Sequence, residues 1–129
     1  METPFEEFGL DPGRLSRFDA ATSLPVDRSA AARMILGARP RPTAVVCAND
    51  VLALALQFEA LRAGLRVPQD IAMVGYDDIE GASTAPVQLT TIRQSGYDLG
   101  YRAAQLAMQP PSVVEIVQFT PELVVREST

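Results

Sequence analysis

The chain contains no histidine and no lysine, and these two absences exclude most forms of side-chain catalysis. Without histidine there is no Ser-His-Asp triad, no histidine-based zinc site and no imidazole general base. Without lysine there is no Walker-type phosphate lysine and no Schiff-base chemistry. The composition therefore predicts that the chain is not an enzyme, and we expect it to use no cofactor.

Cysteine is almost absent as well. Because Cys47 is the only one, no disulfide can form within the chain, which is typical of a reducing cytoplasm. No apolar run reaches membrane-spanning length, and the first residues lack the basic and apolar regions of a signal peptide. The sequence therefore predicts a cytoplasmic protein without membrane contact.

Positive charge is scarce and dispersed. The net charge is −5, and all 11 basic residues are arginines spread among helix and loop positions without interleaved aromatics. Because binding of a nucleic-acid backbone requires a clustered positive surface, we do not expect this segment to hold DNA.

The 129 residues suffice for one domain with one modest core. Residues 1–13 combine proline and glycine with acidic residues and are interpreted as a lead-in segment, so the domain is assigned to 14–129. Short apolar runs alternate with helical patterns, which predicts an α/β fold with a largely parallel sheet in a three-layer sandwich. The predicted strands are 14–18, 43–48, 71–76 and 89–92, and closing strands or an extended tail are expected at 113–119 and 123–125.

Three helices are predicted between these strands. Asp27 is expected to cap the first, over 28–36, and Asn49 or Asp50 the second, which runs to Ala63. Ser95 and Asp98 resemble a capping box for the third, over 96–108. The run 44–48 is continuously apolar, which is typical of a strand covered on both faces.

Polar side chains follow three of the predicted strands. In an open α/β sheet, ligands bind in the crevice outside the carboxyl ends of the strands. Amide, carboxylate and guanidinium groups together suit a polyhydroxylated or amide-bearing ligand. The alternative is that they cap helices and satisfy turns. Tyr76 and Tyr97 lie beside the crevice, where they could stack on a ligand or simply pack. The polar residues are Asn49, Asp50, Asp77, Asp78, Arg93 and Gln94.

The helix after Asn49 has only Gln57 and Glu59 as polar residues between positions 51 and 60, and they lie about 200° apart on the helical wheel. A helix that is apolar on nearly all sides indicates a subunit interface, although an alanine-rich buried helix is the alternative.

Asp77 and Asp78 could hold Mg²⁺ in a phosphotransferase or hydrolase, but without lysine or calcium-loop spacing we predict no metal.

A series of short motifs, in order, resembles the pattern of lac/gal-repressor-type (LacI/GalR) transcription regulators. They are PTAVVCAND (42–50), GLRVPQDI (64–71), VGYDD (74–78), LTTIRQ (89–94), LG (99–100) and PELVVREST (121–129). The resemblance implies a periplasmic-binding-protein-like fold of two lobes with an effector, often a sugar or nucleobase compound, between them. Because such regulators are more than twice this length, it further implies an incomplete C-terminal lobe without the helix-turn-helix head.

The resemblance also implies roles for particular residues. Asn49, Asp77 and Gln94 are expected to face the effector, with Tyr76, Arg93 and Tyr97 as possible further contacts, while Asp50 is the expected helix cap. A purely structural dimerisation module and a fragment of a transporter's sugar-binding protein remain alternatives. Family homodimers are expected to pair through two segments, here represented by Val51, Leu52, Ala55, Leu56, Phe58, Ile79, Ala82 and Pro86.

Overall fold

The computed structural model describes residues 7–9, 11–20, 24–108 and 116–129. Its four strands form one sheet in the order β1-β2-β3-β4. The first three strands are parallel, and the last is antiparallel to β3. This arrangement confirms the predicted α/β class with a largely parallel sheet. The strands are β1 (Ala44–Val46), β2 (Ala72–Asp77), β3 (Thr90–Arg93) and β4 (Glu122–Val124).

Four α-helices that lie entirely within the described ranges accompany the sheet. The second and third connect successive parallel strands, and both crossovers step in the same direction, so right-handed connections place them on one face. The first packs against the second. The fourth has no buried residue. They are α1 (Pro25–Gly37), α2 (Asp50–Arg62), α3 (Glu80–Thr84) and α4 (Gly96–Ala107). No helix in these described segments is long and apolar enough to cross a membrane.

The core lies between α2 and the sheet. Leu56 of α2 packs with Met73 of β2, and Ile71 and Leu89 at the strand ends complete a completely buried cluster. Small residues on the same helix face, Ala53 and Ala60, are also fully buried and allow the helix to approach the strands closely. The face of α2 that packs against the sheet therefore alternates small and large apolar residues.

At β1 the opposite face of the sheet is open, contrary to the expectation for residues 44–48. Val45 packs toward the core, whereas Val46 is 79% exposed because successive side chains of a strand point to opposite faces. The first three helices lie on one side. Leu99 of α4 lines a hollow with Tyr76, whose side chain points away from the core face of the sheet, so α4 lies toward the other face.

Some predicted elements were wrong. Residues 14–18 form no strand: a single 3-10 turn covers Pro12–Arg14, and an unpaired extended segment follows from which Phe18 reaches the core. Helix α1 begins earlier than predicted, with Leu24 as N-cap and Asp27 inside the first turn, because Pro25 fits the first helical position. Ser95 is the N-cap of α4, but its side chain makes no capping hydrogen bond.

The C-terminal part of the chain was predicted more accurately. The strand expected at 123–125 is observed one residue earlier, as β4. Of the closing strand or extended tail expected at 113–119, residues 113–115 lie outside the described residues, and 116–119 are unpaired. The final residues run across β2 and β3: Ser128 Oγ donates to Met73 O (2.6 Å) and accepts from Thr90 N (2.8 Å).

Candidate effector site

Two of the three predicted effector residues are in direct contact. Asp77 ends β2 and is paired in register with Arg93, which ends β3 and precedes Gln94. Gln94 Nε2 donates a 2.9 Å hydrogen bond to Asp77 Oδ1, and both residues are exposed. The parallel register therefore brings a carboxylate and an amide together at the carboxyl edge of the sheet.

Asn49, the third predicted residue, is the helix cap. Its Oδ1 accepts a 2.9 Å hydrogen bond from Leu52 N at the first turn of α2. Its Nδ2 group has no partner within the part of the chain that the structure describes. The sequence-based assignment of the cap to Asp50 was wrong, because an Asn-Asp pair offers two side chains that can both cap and only the fold selects one.

Asp50 instead lies in the core, completely buried. Its Oδ1 accepts a 2.5 Å hydrogen bond from Thr91 Oγ1, and its Oδ2 accepts a 2.9 Å bond from Ile79 N. Gly75 leaves room for this carboxylate, since a Cβ there would collide with Asp50 Oδ1 and Leu89 Cδ2. Asp50 therefore ties the start of α2 to β3 and to the turn that follows β2.

That turn has an unusual backbone. Asp77 has φ 110° and Asp78 has φ 55°, both in the region that favours glycine. Each such residue costs about 1–3 kcal/mol and persists only where surrounding contacts fix it. Strain of this kind concentrates at binding sites, so the turn marks this edge of the sheet as a candidate site.

Asp78 provides the contacts that fix the turn. Its Oδ1 accepts from Arg126 Nη2 and its Oδ2 from Arg93 Nε, each at 2.6 Å. Burial alone would raise the pKa of Asp78, but the hydrogen bonds from Arg126 and Arg93 outweigh it and hold that pKa below its ordinary value. The side chain is therefore an ionised structural anchor, whereas neighbouring Asp77 remains exposed.

The three possible further contacts are placed differently. Tyr76 borders a small hollow beside Gln94. Arg93 is engaged by Asp78 and by Glu122 (3.2 Å), which ties its guanidinium into an ion pair. Tyr97 is 82% exposed and stacks on Tyr101, with ring centroids 6.3 Å apart. The hollow has a volume of about 160 Å³ and is lined by Tyr76, Gln94, Ser95, Leu99, Val117, Phe119, Thr120 and Pro121.

The predicted dimer helix, α2, has both a buried and an open side. Leu56 and Ala82 are completely buried in the chain's own core, so their side chains are not available to a partner. Phe58 is 59% exposed, with the Arg62 guanidinium 5.6 Å from its ring centroid, and Ile79 is 37% exposed. A shallow groove of about 430 Å³ runs between α1 and α2 and is lined by Pro25, Arg28, Ser29, Val51, Leu54, Ala55 and Phe58.

Metal ligands do not converge. Among the residues described, no three cysteine or carboxylate side chains are grouped so that they could hold an ion. Asp78, the nearest candidate from the sequence, is already occupied by two arginines. Cys47 packs at the margin of the core, where burial, aided by the charge of Asp50, raises the pKa of its thiol to about 11.

Sequence reasoning missed the residues that support the turn. Arg126 was noticed only as part of the terminal motif, and Thr91 only as a strand residue. The available signal was chemical, because Arg126 and Ser128 follow the apolar run 123–125 in a terminal segment to which the strand pattern assigns no role. Their partners lie far away in sequence, so that signal could not name them.

This geometry agrees with the comparisons with known proteins. The sequence profile of the periplasmic binding protein-like domain matches residues 7–129, and the chain belongs to that family. More narrowly, it is part of the effector-binding domain of a LacI-family transcriptional regulator. Proteins of this kind are regulators and not enzymes, in agreement with the composition.

Three relatives illustrate the match. The arabinose metabolism transcriptional repressor of Geobacillus stearothermophilus is 45% identical over 94 residues, which are 69% of this chain and 26% of that protein. A LacI-family regulator from Enterococcus faecium with bound ribose is 25% identical, with a TM-score of 0.84 over 97% of this chain and 47% of its own. The regulator CelR in complex with cellobiose is 31% identical, with a TM-score of 0.78 over 97% and 39%. This chain thus spans about a quarter of the curated relative and less than half of each solved chain.

Proposed function

We propose that the chain is an effector-sensing part of a LacI-type regulator and supplies one wall of the effector cleft. The observation that carries this proposal is the contact between Asp77 and Gln94 at the carboxyl edge of the sheet, beside the hollow at Tyr76. Ligands of open α/β sheets bind at this edge. Asn49, at the start of α2, would complete the set with an amide donor.

The ligand class that fits these groups is a sugar. A carboxylate accepts from hydroxyl groups, while the amides of Asn49 and Gln94 both donate and accept. A sugar hydroxyl would donate to Asp77 in place of the Gln94 amide and would accept a hydrogen bond from that amide. Both side chains would therefore keep a partner. Two solved relatives carry ribose and cellobiose, and the curated relative is named for arabinose metabolism, which supports the same class.

The hollow at Tyr76 also supports an incomplete cleft. Its volume of about 160 Å³ is below the range of about 300–1,000 Å³ of ligand pockets, as expected for one wall of two. In a whole regulator, the effector would bind one arrangement of the two lobes better and shift the population toward it. DNA contact and the resulting response would belong to other parts of that protein, acting in the cytoplasm. The assignment of 14–129 as the partial lobe stays a prediction, and the family match begins at residue 7.

An NMR titration of the ¹⁵N-labelled chain tests the effector site. D-ribose, L-arabinose and cellobiose are added to millimolar concentration, and shifts confined to Asn49, Asp77 and Gln94 are expected for at least one of them. Asp77→Ala should abolish these shifts, whereas Asp19→Ala, at an exposed position outside the site, should preserve them. In a full-length relative with the same residues, the matching substitution should abolish effector response while leaving the fold intact.

The open side of α2 favours a second role as a dimerisation surface. Phe58 and Ile79 are exposed although they are apolar, and Val51 and Ala55 line the open groove against α1. We propose homodimerisation through this side, with Leu52 and Pro86 at its margin and without Leu56 and Ala82. If none of the sugars binds and the chain still dimerises, the chain acts as a purely structural dimerisation module and not as an effector sensor.

A further inference from the structure

The strained turn at Asp77 is held by a residue 48 positions away. Asp77 and Asp78 both have positive φ, so the turn needs outside contacts to persist. The side chain of Asp78 is only 9% exposed, and its carboxylate is bonded to Arg126 and Arg93. Fixing Asp78 toward the protein turns the adjacent Asp77 outward, where its carboxylate meets Gln94.

Arg126 is better placed than Arg93 to act as the fixed point. Its side chain is 13% exposed, whereas that of Arg93 is 48% exposed. Its second guanidinium nitrogen, Nη1, donates to Leu89 O (2.8 Å), and its backbone N donates to Thr90 Oγ1 (2.9 Å). Arg126 therefore joins Asp78 to β3 and to the residue that precedes it.

The residue that follows Asp78 is fixed as well. Ile79 N donates to the buried carboxylate of Asp50, which in turn accepts from Thr91 of β3. The turn is thus fastened at the two residues that follow Asp77, by charged groups with little exposure. Hydrogen bonds to charged groups shielded from water are stronger than ordinary ones.

We propose that Arg126 is a positioning residue for the effector-binding carboxylate of Asp77, which it holds through Asp78. Arg126 itself does not touch the effector. Asp50 provides the second anchor through Ile79. The inference rests on the proposed function for the role of Asp77, but the positioning of the turn is measurable without any ligand.

The test compares Arg126→Gln with Arg66→Gln in the intact chain by NMR. Arg66 is a matched control, because it pairs with Asp70 at 2.7 Å near the opposite end of β2. In Arg126→Gln we expect altered three-bond HN–Hα couplings at Asp77 and Asp78, faster hydrogen exchange at Ile79 N and a raised pKa of the Asp78 carboxyl. Arg66→Gln should change none of these.

Arg126→Lys and Asp78→Asn keep the proposal testable if Arg126→Gln does not fold. Arg126→Lys retains the charge, so it should recover the wild-type couplings in part. Asp78→Asn keeps the bonds of Arg126 to Leu89 and Thr90, and it should disturb the turn as Arg126→Gln does. A folded Arg126→Gln or Asp78→Asn variant with wild-type couplings and exchange in the turn would overturn the proposal.

The affinity of the chain for a sugar then tests whether the turn at Asp77 matters for binding. With D-ribose as probe, or with L-arabinose or cellobiose if the wild-type chain binds one of these instead, Arg126→Gln should weaken binding on the order of tenfold, the effect that removal of an orienting partner has at metal sites. If the turn changes and the affinity for that sugar does not, the positioning role for the effector is wrong. If wild-type chain binds none of the three sugars, the proposed function fails, and the turn measurements alone decide whether Arg126 positions Asp77.

Discussion

Thr91 Oγ1 donates a 2.5 Å hydrogen bond to the carboxylate of Asp50, and both residues are completely buried. The pair joins the start of α2 to the middle of β3 beneath the candidate site. Thr91→Val removes the donor and leaves a buried carboxylate oxygen unpaired, which should cost about 1–3 kcal/mol. Urea unfolding measures the loss, and Thr84→Val is the control, because its exposed hydroxyl only bonds Glu80 O. Equal losses in both variants would contradict the assignment.

The space that Asp50 occupies predicts a strong effect at a glycine. In Gly75→Ala the new methyl group would collide with Asp50 Oδ1 and lie 2.9 Å from Leu89 Cδ2, so overpacking should lower the free energy of unfolding by about 1–3 kcal/mol or more. Gly100→Ala is the matched control. Nothing lies within 4 Å of its added Cβ, and in the helix α4 it should stabilise the chain by up to about 1 kcal/mol. Chemical denaturation that ranks the two variants the other way would show that Gly75 is not sterically required.

Much of this arrangement was predictable from local patterns. The apolar runs before Asn49, Asp77 and Arg93 gave the three parallel strands, and the strand-end rule gave the edge at which Asp77 and Gln94 meet. These features depend on the residues nearest in sequence. The same reasoning assigned the wrong cap to α2, because the choice between Asn49 and Asp50 depends on Ile79 and Thr91, which are 29 and 41 positions from Asp50.

The remaining errors have a related cause. The apolar run that includes Val46 was expected to be covered on both faces, because a continuous run cannot reveal how many layers of helix pack against it. Residues 14–18 were expected to pair as a strand, but pairing depends on a neighbour, and the segment has none among the described strands. Partners outside each segment therefore decided these features, whereas the earlier start of α1 has a local cause in Pro25.

Cys47 should be a poorly reactive thiol at neutral pH. Burial, aided by Asp50, raises its pKa to about 11, so very little thiolate is present at pH 7.5. The rate of reaction with Ellman's reagent should rise steadily and still be increasing at pH 10. In urea the rate should be half-maximal near the ordinary thiol pKa of about 8.5 and level off above it. A half-maximal rate near pH 8.5 in the folded chain would contradict the burial of the thiol.

Acid should destabilise the chain through Asp78. Its pKa is lower in the folded chain than in the unfolded one, so the ionised form stabilises the fold. This contribution is complete above the unfolded pKa of about 3.9 and is lost as the pH falls through the folded value. Urea unfolding between pH 6 and pH 2 should show the loss, and Asp78→Asn should flatten the slope.

Asp70 provides the comparison for that measurement. Hydrogen bonds from Arg66 also lower the pKa of Asp70, but Arg66 is 70% exposed, and solvent screens such pairs. Asp70→Asn should therefore flatten the acid slope less than Asp78→Asn. The reverse order would mean that the exposed pair, and not the two-arginine anchor at Asp78, governs acid stability.

The open side of α2 predicts a change in oligomeric state. Light scattering should find the chain as a dimer at micromolar concentration, and Phe58→Glu should convert it to a monomer, because a charge would be placed in an apolar contact. Phe58 is 59% exposed, so the substitution should leave the fold of the monomer intact, as circular dichroism would verify. Met34→Glu is the control, since Met34 is 60% exposed on α1 and lies outside the proposed surface. A dimer that survives Phe58→Glu, or is broken equally by Met34→Glu, would place the interface elsewhere, and a monomeric wild-type chain would remove it.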